Sequence, residues 1–375
     1  MKIVIAADSF KESLSSMEVA NAIEAGFKTI YPYADYVKIP VADGGEGTVQ
    51  ALVDATLGKT INVKVKNPIG KKINAYYGIL GDNKTAVIEM ATACGLDLLE
   101  QEQKNPLYTS TFGFGELILD ALDKGITEFI LGLGGSATND AGIGMLQALG
   151  VRFLDHENKE IGFGAQYIKD IRHIDTQNMD KRLVNIKFKV ACDVNNILCG
   201  PNGATYVFGP QKGATPKVVK QLDTDLCDFA LLCEKKFERK TQIIKGCGAA
   251  GGLGFGLITF LNASLLSGID IVLNRTRLNE ELKNATLVIT GEGKMDAQTI
   301  KGKVPVGVAR RAKKFHLPVI AICGALEQGY EEVYKAGIDA VFDTVPRVTS
   351  LDDVLKNARE NIKSTSQNVA RILKL

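Results

Sequence analysis

The densest chemistry in the chain lies in residues 287–309, LVITGEGKMDAQTIKGKVPVGVA. The apolar run Leu287 to Ile289 suits a buried strand, and Gly291 and Gly293 let backbone approach a ligand. Helical spacing resumes from Val304 to Ala309, with Pro305 allowed in a first turn. Between them stand Glu292, Lys294, Asp296, Gln298, Thr299, Lys301 and Lys303, where open α/β sheets place ligands, beyond the carboxyl ends of strands. Four more loops repeat the composition: Asp8 to Ser16, ADGGEGT from Ala42, GLGGSATNDAGIG from Gly132, and residues 203–215. Glycine-rich turns expose N–H groups to anions, and hydroxyls and lysines add donors, so the loops suit phosphate. Carboxylates beside a polyphosphate make sense when Mg²⁺ bridges the two. The chemistry indicated is phosphoryl transfer.

Rival nucleotide signatures are weaker. Gly58-Lys59-Thr60 lacks the P-loop glycine that would replace Val53, and neither HRD nor DFG occurs. Gly246 to Gly251 fits GxGxxG after an expected strand, yet Asp270 precedes the apolar run it should close. Gly132 to Ala137 fits better. It follows the expected strand Glu128 to Leu131 and opens a helix, with Asp155 closing VRFLD about 20 residues on. Against it, Ser136, Thr138, Asn139 and Asp140 put polar groups where a dinucleotide helix packs small apolar ones. A nicotinamide-dependent oxidoreductase of a small hydroxy acid therefore stands as the second reading, and a non-catalytic phosphometabolite-binding protein as the third.

These loops need elements to hold them. Lys2 to Ala7 reads as a strand, Ser15 with Glu18 as a capping box opening a helix through Phe27, Val37 to Val41 as a strand, and Val49 to Leu57 as a helix. This beginning predicts a doubly wound parallel (Rossmann-like) sheet. Near Thr60 the pattern alternates and is broken by Asn-Pro-Ile-Gly and Gly-Asp-Asn, the mark of an antiparallel meander. Helices are expected over 109–123 and 140–149, and from Pro216, capped by Thr215, to Phe237. Residues 187–192 read as a strand. Strands over 287–290, 318–323 and 341–342 follow, with Ser350 capping the final helix. The fold class expected is α/β with two domains: a discontinuous Rossmann-like domain (1–59 and 284–375) and an inserted α/β domain with a mixed sheet (60–283).

The 375 residues, 45% hydrophobic, supply two cores. A net charge of +2 with interspersed signs offers no footprint for nucleic acid or an anionic membrane. No apolar run approaches the ~20 residues of a membrane span, and MKIVIAADSF reads as a strand rather than a leader, so a cytoplasmic protein with small-molecule partners is expected. A homo-oligomer stays open. The seven cysteines form no CxxC pair and read as reduced packing residues. His156, His173 and His316 have no metal-ligand spacing, which leaves zinc and Ser-His-Asp chemistry poorly supplied.

Taken together, IAADSFKESLSS, PVADGGEGT, LGLGGSATNDAGIGMLQALG, ACDVNNILCGPNGATYVFGPQKGA, GCGAAGGLGFG and TGEGKMDAQTIKGKVPVGVA span nearly the whole chain. In these motifs it resembles the type 1 glycerate kinase family. Glu12 stands where that family usually has glycine, Ile197 where proline is frequent, and Cys247 where alanine is common. The resemblance implies ATP-dependent phosphorylation of D-glycerate, expected at the 2-hydroxyl, in the cleft between two α/β domains. Among cations for the glycerate carboxylate, Lys11 is preferred over Arg275 and Arg277 because it lies in a matching motif. Asp193, Asp296 and Asp8 are candidates for the acid that orients the attacking hydroxyl. Asp193, Glu292 and Asp296 are the candidate Mg²⁺ ligands. Gly134, Gly135, Ser136, Ala137, Thr138, Gly248, Gly251, Gly252 and Lys212 are assigned to ATP, and Ser9, Asp43, Glu46, Asn139, Asp140 and Arg275 to the substrate.

Overall fold

The computed structural model describes residues 1–375, the side chain of Lys301 excepted. The chain begins with β1 (Lys2–Ile5), α1 (Ser16–Lys28), β2 (Asp35–Lys38) and α2 (Thr48–Thr56). The start of α1 follows from its capping box: the Ser15 hydroxyl accepts the Glu18 N–H, and the Glu18 carboxylate accepts the Ser15 N–H. α2 instead opens on Gly47 at φ 87, with no side-chain cap.

Next come β3 (Lys59–Lys66), β4 (Lys72–Ile79), β5 (Thr85–Glu89), α3 (Ala91–Cys94), α4 (Phe112–Asp123), β6 (Glu128–Gly132) and α5 (Ile143–Ala148). They are followed by β7 (Arg152–Leu154), β8 (His173–Asp175), β9 (Lys187–Ala191), α6 (Ala204–Phe208), α7 (Pro216–Phe237), α8 (Ala249–Leu261) and β10 (Ser264–Leu266). The chain closes with α9 (Gly268–Arg275), α10 (Leu278–Leu282), β11 (Leu287–Thr290), β12 (Lys294–Met295), α11 (Val304–Lys313), β13 (Val319–Cys323), β14 (Ala325–Leu326), β15 (Ala340–Asp343), α12 (Leu351–Lys356) and α13 (Ala358–Leu373).

Two compact units result, Met1–Leu57 with Ser267–Leu375, and Gly58–Leu266. The return to the first unit falls at residue 267, ahead of the 284 expected from sequence. The reason is packing: α9 lies against α2 and α11, and α10 against α9 and α11. Gly268 seats α9 directly on the loop before α2, where a Cβ would run into the Asp43 carbonyl.

The first unit is built on a parallel sheet in the order β15-β13-β11-β1-β2, with β12 and β14 paired separately in parallel. Strand order reverses between β1 and β11, which makes the sheet doubly wound and puts a ligand crevice at the carboxyl ends of those two strands. α1 and α13 pack together beside the sheet, with Ile23, Phe27, Ile362 and Val369 buried between the layers. The second unit has the order β10-β9-β6-β5-β4-β3, in which β4 runs antiparallel to both neighbours and the other pairs are parallel. This is the expected mixed sheet. Its core includes the stacked pair Phe129 and Phe188, centroids 5.1 Å apart.

Several local expectations change. The helix expected over 140–149 contracts to α5, because Ala141 and Gly142 take left-handed φ values of 51 and 78. Residues 241–245 form a bend and turns in place of the strand required before Gly246. Ser350 caps α12, and the last helix, α13, begins separately after Asn357.

The α1–α13 contact is tight at Gly26, where a Cβ would meet the Lys363 carbonyl oxygen and approach the Ser366 Cβ to 2.6 Å. We expect Gly26→Val to cost about 1–3 kcal/mol by overpacking, read as a lower urea midpoint. An unchanged midpoint would show that the helix pair has slack.

Candidate active site

In the first unit, strand pairing carries the site residues beyond the strands themselves. The Ala6 N–H donates to the Ile289 carbonyl at 2.8 Å and the Asp8 N–H to the Gly291 carbonyl at 2.9 Å, so the two loops leave the sheet side by side. Glycine keeps them there. A Cβ on Gly293 would stand 3.3 Å from the Phe10 Cα, one on Gly291 would strike the Ile322 carbonyl, and one on Gly324 the Gly293 carbonyl. Ser16 fastens the third loop, donating to the Ala7 carbonyl at 2.6 Å and accepting the Val41 N–H at 3.0 Å.

These loops line a cavity of about 390 Å³ that gathers Asp8, Ser9, Lys11, Asp43, Glu292 and Lys303. A shallower pocket on the other side of the 9–13 segment adds Glu46 to Ser9 and Lys11. Burial pushes the Asp8 carboxyl up to about 7, helped by the Asp43 and Glu292 carboxylates and opposed by the Ser9 N–H and Lys11. Glu292, only 5% exposed, is also raised by burial; the Thr299 hydroxyl, 2.6 Å from Oε1, and Lys303 oppose the shift. Lys303 Nζ lies 3.5 Å from Glu292 Oε2 and 3.8 Å from Asp296 Oδ1, joining both carboxylates through one ammonium. Asp296 is held further by the Gln298 N–H, donated to Oδ1 at 2.8 Å.

Arg275 lies in the last turn of α9 and lines neither pocket, so its assignment to substrate is not supported by placement. The larger pocket also holds residues outside the loops singled out from sequence, chiefly Leu351, Val354 and Leu355. α12 carries no phosphate or acid–base signal, and its apolar residues look like ordinary core spacing.

The second unit concentrates its polar groups behind β6. Gly134 and Gly135 are exposed, whereas Ser136, Ala137, Thr138, Asn139 and Asp140 are buried. The Lys212 ammonium, 1% exposed, donates to Ser136 Oγ at 2.7 Å and to the Thr138 carbonyl at 2.6 Å. Burial draws its pKa down to about 7, with Asp140 pulling the other way. The Asp140 carboxylate accepts from the Thr111 N–H (2.8 Å), the Thr111 hydroxyl (2.9 Å), and the Gly142 and Gly144 N–H groups (both 3.2 Å). A 1% exposed carboxylate so fully occupied braces the loop and, in this structure, does not face a cavity as Asp8 does, which leaves its assignment to substrate unsupported by placement. Asn139 donates to Thr205 Oγ1 at 2.9 Å; its own Oδ1 and the Thr138 hydroxyl are buried without a protein partner.

Gly248, Gly251 and Gly252 are buried as well. Cβ atoms there would strike the Ile197 carbonyl, the Thr138 carbonyl and Leu198 with Ala141, so close backbone packing explains these glycines better than a phosphate cradle does. Asp193 follows β9 with an exposed side chain, in the second unit. Among the described residues no three His, Cys, Asp or Glu side chains are grouped to hold a metal ion, and no helix is long and apolar enough to cross a membrane. Both dinucleotide patterns fail. The residues after Gly132 do not open a helix until Ile143, and β7 pairs antiparallel with β8 outside the main sheet, so Asp155 closes no βαβ unit.

Because the folded pKa of Lys212 lies below its ordinary 10.5, the folded state binds fewer protons than the unfolded one between pH 7 and that value. Its destabilising effect is full below about pH 7 and relieved as the pH rises. We expect Lys212→Met to flatten the rise in unfolding free energy over that window. A difference between the two proteins that does not vary with pH would contradict a neutral-leaning lysine.

Residues 3–374 match the glycerate kinase family. The chain is 56% identical to the glycerate kinase of Haemophilus influenzae over 373 residues, covering 100% of this chain and 99% of that one. It is 50% identical to the glycerate 2-kinase of Escherichia coli, with 100% and 98% covered. Its fold superposes with a TM-score of 0.92 on the crystal structure of a protein provisionally named glycerate kinase 2 from Salmonella typhimurium LT2, 50% identical, with 100% and 98% of the chains covered. On this full-length agreement in sequence and fold, the chain belongs to the glycerate kinase family.

Proposed function

We propose that this protein transfers the γ-phosphoryl group of ATP to a hydroxyl of D-glycerate, at the 2-position, giving 2-phosphoglycerate and ADP. The observation that carries the reading is identity of 50% or more along the full length to proteins named glycerate kinase and glycerate 2-kinase. A crevice at the strand-order reversal, lined by carboxylates and lysines, agrees with it.

Lys11, on the segment shared by both pockets, holds the glycerate carboxylate. Asp8 orients the attacking hydroxyl and takes its proton as the oxygen–phosphorus bond forms and ADP leaves. A carboxyl pushed up to about 7 is matched to that duty near neutral pH. Glu292 and Asp296 fit Mg²⁺: both are hard oxygen donors, they share a single lysine, and Asp8, Asp43 and Glu292 crowd negative charge that a divalent cation would offset. When bound, the ion would neutralise oxygens of the transferring phosphate. Lys303 would then be released from the carboxylates toward phosphate. From the second unit, Ser136, Lys212 and Asp193 are assigned to nucleotide or metal on their motifs, with the exposed Gly134 and Gly135 beside Ser136.

A coupled ADP-release assay with D-glycerate, L-glycerate and related hydroxy acids, with and without Mg²⁺, tests the reading. Mg²⁺-dependent release with D-glycerate is expected; binding of ATP without release would point to a non-catalytic protein. Asp8→Asn and Asp296→Asn should each lower turnover by about 10²-fold or more while circular dichroism stays that of the parent. Parental turnover in both would remove the assigned roles.

A further inference from the structure

The cavity beyond β1 and β11 has two unlike walls. One is ionic, with Lys11, Asp43, Glu292 and Lys303; the other is aliphatic and comes from the far end of the chain, with Leu351, Val354 and Leu355 on α12. Glycerate has no apolar surface to match the second wall. Each of its three carbons bears oxygen, so it gains nothing from aliphatic contact, and a cavity of about 390 Å³ is far roomier than a three-carbon acid needs. Nor does the wall serve the core, since none of the α12 residues is buried and Leu351 is 69% exposed. It is nevertheless fixed in place, because the Ser13 hydroxyl donates to the Leu355 carbonyl at 2.8 Å, from the same segment that carries Asp8 and Lys11. A ligand matching both walls has an apolar end and a charged end that meets the two lysines directly and the carboxylates through a cation.

We propose that the aliphatic face of α12 seats the purine base of the nucleoside triphosphate, so that the first unit grips the nucleotide by its base and not by its phosphates alone. The proposal rests on the ATP-dependent reading above. Stacking a heteroaromatic ring on aliphatic side chains removes apolar area from water at both surfaces. The Ser13 hydrogen bond couples that contact to the catalytic segment.

The test compares the parent with the double variant Leu351→Ser/Val354→Ser, neither position being part of a buried core, and with Val348→Ser as an exposed control outside the cavity. The double variant should raise KM for ATP about tenfold or more, the scale of lost apolar contacts in a pocket, with KM for D-glycerate held within about twofold. Calorimetry should show ATP binding weakened and inorganic tripolyphosphate binding unchanged. An unaltered KM for ATP, an equal loss of tripolyphosphate binding, or an equal rise in the Val348→Ser control would overturn the seat. Failure of the two ideas is separable. A parent that turns over glycerate with ATP while the double variant keeps its KM sinks the seat alone, whereas selective loss of ATP binding without any parental turnover keeps the seat and sinks the kinase reading.

Discussion

The site depends on the hydrogen-bond register between β1 and β11 persisting one step past both strands, where the Asp8 N–H meets the Gly291 carbonyl. Parallel strands whose connections run to opposite sides leave a crevice where they meet. Here that register places Asp8 beside the loop bearing Glu292. Glycine makes the spacing achievable, because Gly291, Gly293 and Gly324 each lie where a Cβ would press on neighbouring backbone. Side chains at those positions would push the loops apart and move the carboxylates away from one another. The spacing of these carboxylates is therefore set by backbone contacts.

Charge is handled differently in the two units. The first keeps several carboxylates and lysines in a cavity open to solvent, where burial and mutual repulsion push Asp8 to about 7 and Lys303 balances Glu292 and Asp296 together. The second buries Lys212 and Asp140 behind β6 and satisfies Asp140 with backbone amides and the Thr111 hydroxyl. The Thr138 hydroxyl and Asn139 Oδ1 remain unpartnered there.

Three of the non-glycine residues with left-handed φ lie on these loops. Glu12 takes φ 62 on the segment shared by the two pockets of the first unit, a conformation that glycine adopts more readily. Ala141 and Ala250 do the same in the second unit, at φ 51 and 53, next to the closely packed glycines. Strain of this kind persists only where surrounding packing over-determines it. The Phe10–Leu14 hydrogen bonds around Glu12 and the Ala141 N–H to Gly251 carbonyl contact at 3.0 Å provide that packing.

The sequence by itself determined the parts governed by local rules. The reciprocal Ser15–Glu18 cap, the Thr215–Pro216 helix start, the parallel first sheet and the antiparallel meander after Thr60 all follow from periodicity and capping, which act over a few residues. Its glycine-rich, acid-bearing loops also pick out Asp8, Asp43 and Glu292, which the fold brings to one cavity. Tertiary structure decided what those rules do not reach. It separated Asp140, consumed by four hydrogen bonds, from Asp8, left facing a cavity, although both are aspartates in polar loops. It turned Gly251 into a packing residue, left Arg275 off both pocket linings, and brought α12 over a cavity more than 300 positions away from Lys11 in the chain. Burial, partner count and long-range juxtaposition belong to the folded packing as a whole, so no window of sequence encodes them.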